Sequence, residues 1–179
     1  MQEINWAEFA AKFAGREQQS FEWLCYLLFC AELNHDLGIN RYTNHPGIET
    51  SPIDVDGSLI GFQAKYTTSP LSQITDKLVQ AVNTAKANHP ELNKIIFYVN
   101  RDFGLGRGGT EPRGKKRVES CARDLGIDIE WRTSSYFESP FVAINSREIA
   151  EHFFSRLPSV FDLAGELKKH TESILGSIR

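Results

Sequence analysis

The stretch SLIGFQAKY, residues Ser58 to Tyr66, decides the fold that we predict for this chain. In a β-strand, successive side chains point to opposite faces. One face would then carry apolar side chains suited to a core: Ile60, Phe62, Ala64 and Tyr66. The other face ends in Gln63 and Lys65. Because an ammonium group removed from water without a partner costs free energy, the pattern predicts a polar site at the end of this strand.

An acidic partner for these two residues is available upstream. Asp56 and Gly57 form a dipeptide typical of tight turns, so the preceding segment should fold back along the strand as a hairpin. Glu49 is the preferred acid. Asp54 stays an alternative, although its place next to the turn favours a role in the hairpin. Ser51 and Pro52 should interrupt the ladder, because proline donates no hydrogen bond.

An acid, a turn and a strand ending in Gln-x-Lys together resemble the site of the PD-(D/E)XK nucleases, which have the restriction-endonuclease-like fold. Gly47-Ile48-Glu49 followed by Ile60 to Tyr66 resembles the branch that has glutamine in place of the second acid. That branch supplies N-terminal effector domains of bacterial antiphage signalling ATPases. The resemblance covers most of residues 18–135. It implies a mixed central β-sheet flanked by α-helices and a metal-dependent DNA endonuclease.

The resemblance also implies roles for individual residues. Glu49, Gln63 and Lys65 would be catalytic, and Mg²⁺, for which Mn²⁺ can substitute, would bind to Glu49, Gln63 and the backbone carbonyl of Ala64. Glu22, on the first core helix, is a further metal-ligand candidate; the alternative is that it only favours the helix N-terminal dipole. The chain departs from the family pattern at Ile48, where proline is usual, at Glu49, where aspartate is commoner, and at Gln63. The neutral glutamine removes one negative charge and predicts weaker metal binding.

The composition indicates one globular domain over residues 1–179, with 41% hydrophobic and 24% charged residues. A net charge of -3 means that contact with double-stranded DNA must come from a local basic patch. Residues 101–117 are the clearly basic stretch, and a solvated loop is the alternative interpretation. Its predicted DNA-binding residues are Arg107, Arg113, Lys115, Lys116 and Arg117.

Two other functions stay open. The first is a catalytically degenerate module of the same fold that binds nucleic acid or oligomerises. The second, less favoured, is a dinucleotide-binding domain, since Gly104 to Gly109 match GxGxxG and Asp128 lies at a suitable offset. The motif does not directly follow a strand, and Pro112 comes after it, which argues against that interpretation. His45 could be a ligand near Glu49, but an isolated histidine in such a turn is more often only a surface residue.

The hydrophobic periodicity predicts alternating helices and strands. The first predicted helix begins at Trp6. The other predicted helices are Phe21–Leu37, Ser69–Asn88, a stretch ending at Leu125, Arg147–Phe154 and Ser159–Ile178. The predicted strands are Ile39–Thr43, Ser58–Tyr66, Lys94–Val99, Ile127–Trp131 and, as an edge strand or loop, Phe141–Ile144. The second strand, a helix and the third strand should form a parallel βαβ unit. Residues 146–179 are expected to be C-terminal helices that connect to a further region, and the longer protein is expected to form homo-oligomers.

The cysteine pattern and the absence of a signal segment predict the compartment. Cys25, Cys30 and Cys121 form no CxxC pair and are expected to be reduced. Neither a signal peptide nor an apolar segment long enough to span a membrane is visible. We therefore expect a cytoplasmic protein that has no membrane partner.

Overall fold

The computed structural model describes residues 3–35, 47–104, 109–138, 142 and 145–155. The strand predicted at Ile39–Thr43, most of the segment at Phe141–Ile144 and the helix predicted from Ser159 lie outside the described residues, as do His45 and Arg107.

Six α-helices and four β-strands lie in the described ranges. In chain order they are α1 (Trp6–Lys12), α2 (Glu17–Glu32), β1 (Ile53–Val55), β2 (Ser58–Lys65), α3 (Thr75–Asn88), β3 (Lys94–Val99), α4 (Arg113–Asp124), β4 (Asp128–Arg132), α5 (Ser134–Glu138) and α6 (Arg147–Phe154).

The four strands form one mixed sheet in the order β1-β2-β3-β4. Strand β1 is antiparallel to β2, with Ile53 opposite Ile60. Strands β2, β3 and β4 are parallel, and Lys65 lies opposite Val99 at the carboxyl ends of β2 and β3. Helix α3 joins β2 to β3, so the predicted βαβ unit is confirmed. The prediction of a mixed central sheet flanked by helices is confirmed as well.

The alternation in β2 separates two cores, one on each face of the sheet. Ile60, Phe62 and Ala64 pack with α2 on one face, in a cluster that also takes in the aromatic side chains of α1 and α6. On the other face, apolar residues of α3 and α4 cover β3 residues such as Phe97. Both faces of β3 are buried, which explains its nearly continuous apolar sequence. The predicted core face of β2 is confirmed.

Several predicted boundaries are wrong. Helix α2 begins at Glu17, before its predicted start at Phe21. Ser20 thus lies in its first turn, and the Ser20 N–H donates to the Arg16 carbonyl (2.9 Å). The helix ends at Glu32, shortly before Asn34, whose φ of 48° is left-handed. Helix α3 begins only after a short 3-10 turn over Leu71–Gln73.

The region around α4 and α5 also differs from the prediction. Helix α4 begins at Arg113, so the end of the basic stretch is helical and not a solvated loop. Helix α5 lies between Trp131 and Phe141, where the hydrophobic periodicity predicts no element. None of the described helices has both the length and the apolar character needed to cross a membrane.

Candidate active site

Glu49 lies directly beside β2. Strand β1 begins after Pro52, as expected for a ladder that proline interrupts. On the other side of this interruption, the Glu49 N–H donates to the Phe62 carbonyl (2.9 Å). The side chain of Glu49 is 4% exposed. The segment before Pro52 thus places a buried carboxylate at the carboxyl end of β2.

Gln63 joins this carboxylate to the backbone of Ala64. The Gln63 side chain is 1% exposed, and its Nε2 donates to Glu49 Oε1 and to the Ala64 carbonyl (3.3 Å). The Ala64 N–H also approaches Glu49 Oε1 (3.4 Å). The Gln63 amide nitrogen faces Glu49, whose carboxyl oxygen accepts its hydrogen bond. Three residues predicted as metal ligands therefore meet at one point.

The oxygen atoms at this point suit Mg²⁺, which prefers oxygen ligands and needs only one or two carboxylates. The Gln63 amide nitrogen donates a hydrogen bond to a carboxylate oxygen of Glu49 and another to the Ala64 carbonyl oxygen. Rotation of the amide would present its oxygen instead. Among the described side chains, no group of three or more His, Cys, Asp or Glu residues is arranged to hold a metal. A metal here would depend on amide and backbone oxygens as well as carboxylate.

Glu22 approaches the same place through a residue that the sequence analysis missed. Gln18 Nε2 donates to Glu22 Oε1 (2.9 Å) and to the Ala64 carbonyl (3.1 Å), while its Oε1 accepts from the Tyr66 N–H (2.9 Å). Glu22 is thus one side chain away from the carbonyl of Ala64. The spacing of four residues between Gln18 and Glu22 on α2 places them on one helix face, and this signal could have identified Gln18.

Lys65, the last residue of β2, lines a cavity of about 310 Å³ beside α3. The other lining residues are Gly47, Gln63, Lys77, Gln80, Ala81 and Thr84. Within the described part of the chain, the Lys65 ammonium takes part in no ion pair or hydrogen bond. It is therefore available to an anion that enters this cavity.

Most of the predicted DNA-binding cations of α4 are already paired with carboxylates. Lys115 contacts Glu111 (2.8 Å) and Glu119 (3.3 Å), and Lys116 contacts Glu111 (3.7 Å). The hydrogen bond that the Lys115 ammonium donates to the Glu111 carboxylate raises the pKa of Lys115. Arg117 pairs with Asp76 of α3 (2.6 Å).

Arg113 takes part in no ion pair with a described residue, and Arg107 lies outside the described residues. The stretch thus has less uncompensated positive charge than its sequence suggests. Its role in DNA binding stays a prediction.

The alternative site residues lie elsewhere. The Asp54 carboxylate accepts the Gly57 N–H (2.8 Å) and so stabilises the hairpin turn. Asp128 begins β4 opposite Lys94, at the amino end of the parallel strands, whereas Gly104 follows their carboxyl end. Gly104 and Asp128 therefore lie at opposite ends of the parallel strands.

The fold and the site define an α/β domain with an acid, an amide and a lysine at the carboxyl end of a central strand, and this lysine forms no ion pair with a described residue. No protein-family profile matches the chain, and no curated protein matches it at a significant level.

Proposed function

We propose that this chain is a Mg²⁺-dependent DNA endonuclease with the restriction-endonuclease-like fold. It would belong to the PD-(D/E)XK branch that has Glu and Gln-x-Lys, and act as the effector domain of a bacterial antiphage defence protein. One observation carries the proposal: Glu49, Gln63 and the Ala64 carbonyl meet at the carboxyl end of β2, where Lys65 follows. These groups are separated in sequence by an interrupted hairpin and meet only in the folded chain.

The residues have distinct roles in this proposal. Glu49, the Ala64 carbonyl and the Gln63 side-chain oxygen would hold Mg²⁺, with Glu22 oriented by Gln18. When bound, Mg²⁺ stabilises charge on the phosphate and lowers the pKa of water. The Lys65 ammonium orients the attacking water and stabilises negative charge that develops on the phosphate oxygens. Water adds its oxygen to phosphorus, the bond to the leaving oxygen breaks, and that oxygen takes up a proton.

A second candidate function is a catalytically degenerate module of the same fold that binds nucleic acid or oligomerises. It is favoured by the neutral Gln63, whose NH₂ group already satisfies the Glu49 carboxylate. In such a module the acid and the amide would only stabilise the end of the strand.

A cleavage assay tests the proposed function against this alternative. The protein is incubated with supercoiled plasmid DNA in Mg²⁺ and in EDTA, in parallel with the variants Glu49→Gln and Lys65→Ala. We expect nicked or linear plasmid only with the parent in Mg²⁺. Asp54→Asn is the matched control, because it removes an acid from the same hairpin without touching the cluster. If the parent does not cut plasmid, the degenerate module is favoured; if it cuts only RNA, the proposed substrate is wrong.

A further inference from the structure

Three cations surround the carboxyl end of β2 without carboxylate partners. Lys65, Lys77 and Arg101 form no ion pair with any residue that the structure describes. Lys115, Lys116 and Arg117 of α4, by contrast, are all compensated. Arg113 and Arg123 of α4 also form no ion pair with a described residue, so uncompensated positive charge lies at the carboxyl end of β2 as well as at the two ends of α4.

Arg101 is held in place beside the strand end. Its Nε donates to the Thr67 carbonyl (3.1 Å), two residues beyond Lys65. The buried Asn100 holds Thr67 through two hydrogen bonds: its Oδ1 accepts from the Thr67 N–H (2.8 Å) and its Nδ2 donates to the Thr67 carbonyl (3.1 Å). The terminal guanidinium nitrogens of Arg101 make no hydrogen bond to a described residue. A guanidinium fixed through its Nε presents these nitrogens to a phosphate as a planar fork.

The neighbouring carboxylate, Asp102, lines the same cavity but forms no ion pair with Arg101. Asp102 accepts hydrogen bonds from the Ser135 N–H (3.1 Å) and from Ser135 Oγ (2.8 Å), and so it is bound to α5. Burial opposes its ionisation, but the hydrogen bonds from Thr133 and Ser135 hold the pKa of Asp102 below its usual value.

Lys77 and Arg101 lie on different sides of Lys65. Lys77, near the start of α3, lines the cavity of about 310 Å³ that also contains Lys65 and the buried Gln63. Arg101 lines a larger cavity of about 690 Å³, between α1 and the segments that follow β2 and β3. Ligands of parallel sheets bind outside the carboxyl ends of the strands, and both cavities lie at that edge.

We propose that Lys77 and Arg101 bind two non-scissile phosphates of a DNA strand, one on each side of the phosphate at Lys65. The strand would cross the carboxyl end of β2 from the cavity beside α3 to the cavity beside α1. For the identity of its ligand, this inference rests on the proposed function. It assigns backbone recognition to two residues outside α4.

A salt series of DNA binding tests this assignment without cleavage. Binding of a short labelled duplex is measured in EDTA for the parent, Lys77→Gln and Arg101→Gln. Each phosphate contact contributes about 0.9 to the slope of log affinity against log salt, so each variant should lower the slope by about that amount. Lys86→Gln and Arg123→Gln are matched controls at the opposite ends of α3 and α4, and they should keep the parent slope.

Two conservative variants separate charge from structure. Arg101→Lys loses the Nε hydrogen bond to Thr67 but keeps the charge, and Lys77→Arg keeps the charge of Lys77. Both should retain the parent slope, and thermal melting shows whether each variant is folded. If Arg101→Gln melts early, Arg101→Lys still tests the assignment: a folded Arg101→Lys with the parent slope supports a phosphate contact at this position, and a lowered slope overturns it.

The possible outcomes distinguish the inference from the proposed function. Unchanged slopes in both glutamine variants overturn the inference even if the parent cuts plasmid. A parent that binds DNA with slopes that depend on Lys77 and Arg101, but does not cut, supports the inference and contradicts the nuclease. A parent that binds no DNA duplex, or binds only RNA, overturns the inference.

Discussion

At the scale of single residues, the site contains a buried acid to which two neutral groups donate hydrogen bonds. Glu49 Oε1 accepts from the Gln63 amide and from the Ala64 N–H. A second acid at position 63 would place two carboxylates together in a buried site, which raises the pKa of one of them. With glutamine there, the site is satisfied without a metal. The amide therefore lowers the affinity of the site for a cation and raises the stability of the metal-free chain.

The variant Gln63→Glu tests this exchange. Without metal it should be less stable than the parent by roughly 1–3 kcal/mol, because a buried hydrogen bond is replaced by repulsion. With Mg²⁺ its melting temperature should rise by more than that of the parent, since binding of a ligand to the native state stabilises it. Thermal melts in EDTA and in Mg²⁺ measure both effects. Gln73→Glu, at an exposed position, is the control. If Mg²⁺ raises the melting temperatures of Gln63→Glu and of the parent equally, a metal site at Glu49 is contradicted.

At the scale of elements, the site depends on close packing between the segment that carries Glu49 and helix α3. Gly47 has a φ of 110°, and a Cβ added there would lie 2.6 Å from the backbone nitrogen of Ala85. Only glycine allows this contact, because both the left-handed backbone and the missing side chain are required. The helix thus limits where residues 47–50 can run, and with them the carboxylate of Glu49.

Gly47→Ala should therefore reduce both stability and cleavage. We expect a loss of roughly 1–3 kcal/mol from the strained backbone, with a further loss because α3 must move. Urea unfolding measures the stability. Gly104→Ala is the control: its added Cβ meets no atom within 4 Å, and its φ lies outside the left-handed region. A Gly47→Ala variant as stable as that control would show that the segment does not pack on α3 in this way.

At the scale of the whole molecule, one buried polar network joins α2, β3, β4 and α5. Glu32 accepts hydrogen bonds from Tyr98 (3.0 Å) and Tyr136, and pairs with Arg132 (3.0 Å). The exposed fractions of the Glu32 and Arg132 side chains are 8% and 19%. Burial, together with the negative charge of Glu32, raises the pKa of Tyr98 well above its usual value, so this phenol stays a donor.

The variant Glu32→Gln should destabilise the whole fold by about 3–5 kcal/mol, because it leaves Arg132 largely buried without its main counter-charge. Denaturant unfolding at neutral pH measures this loss. Glu130→Gln is the matched control, since Glu130 pairs with the same arginine (3.2 Å) but is 43% exposed. A surface pair of this kind contributes about 0–1 kcal/mol. If Glu32→Gln and Glu130→Gln lower the free energy of unfolding equally, burial of Glu32 does not explain its contribution to stability.

How much could be predicted from the sequence differs between the fold and the site. The alternation in β2, the Asp56-Gly57 turn and the apolar β3 are local patterns, and each predicted its element and its neighbour in the sheet. The pairing of Glu49 with Gln63 was also predictable, because a hairpin joins them. The start of α2 was not, since Ser20 is a good N-cap residue and yet the helix begins before it.

The sequence alone determined the order of strands β2 to β4 and of the helices between them, because alternation and turn residues are properties of neighbours in the chain. Only the tertiary structure decided which charges are compensated. Arg132 meets Glu32 across 100 positions of sequence, and Arg117 meets Asp76 only because α4 packs on α3. Among the residues that the structure describes, packing likewise leaves Lys77 and Arg101 without an ion-pair partner. No local pattern carries that information, since the energy of an ion pair depends on a distance that packing alone sets.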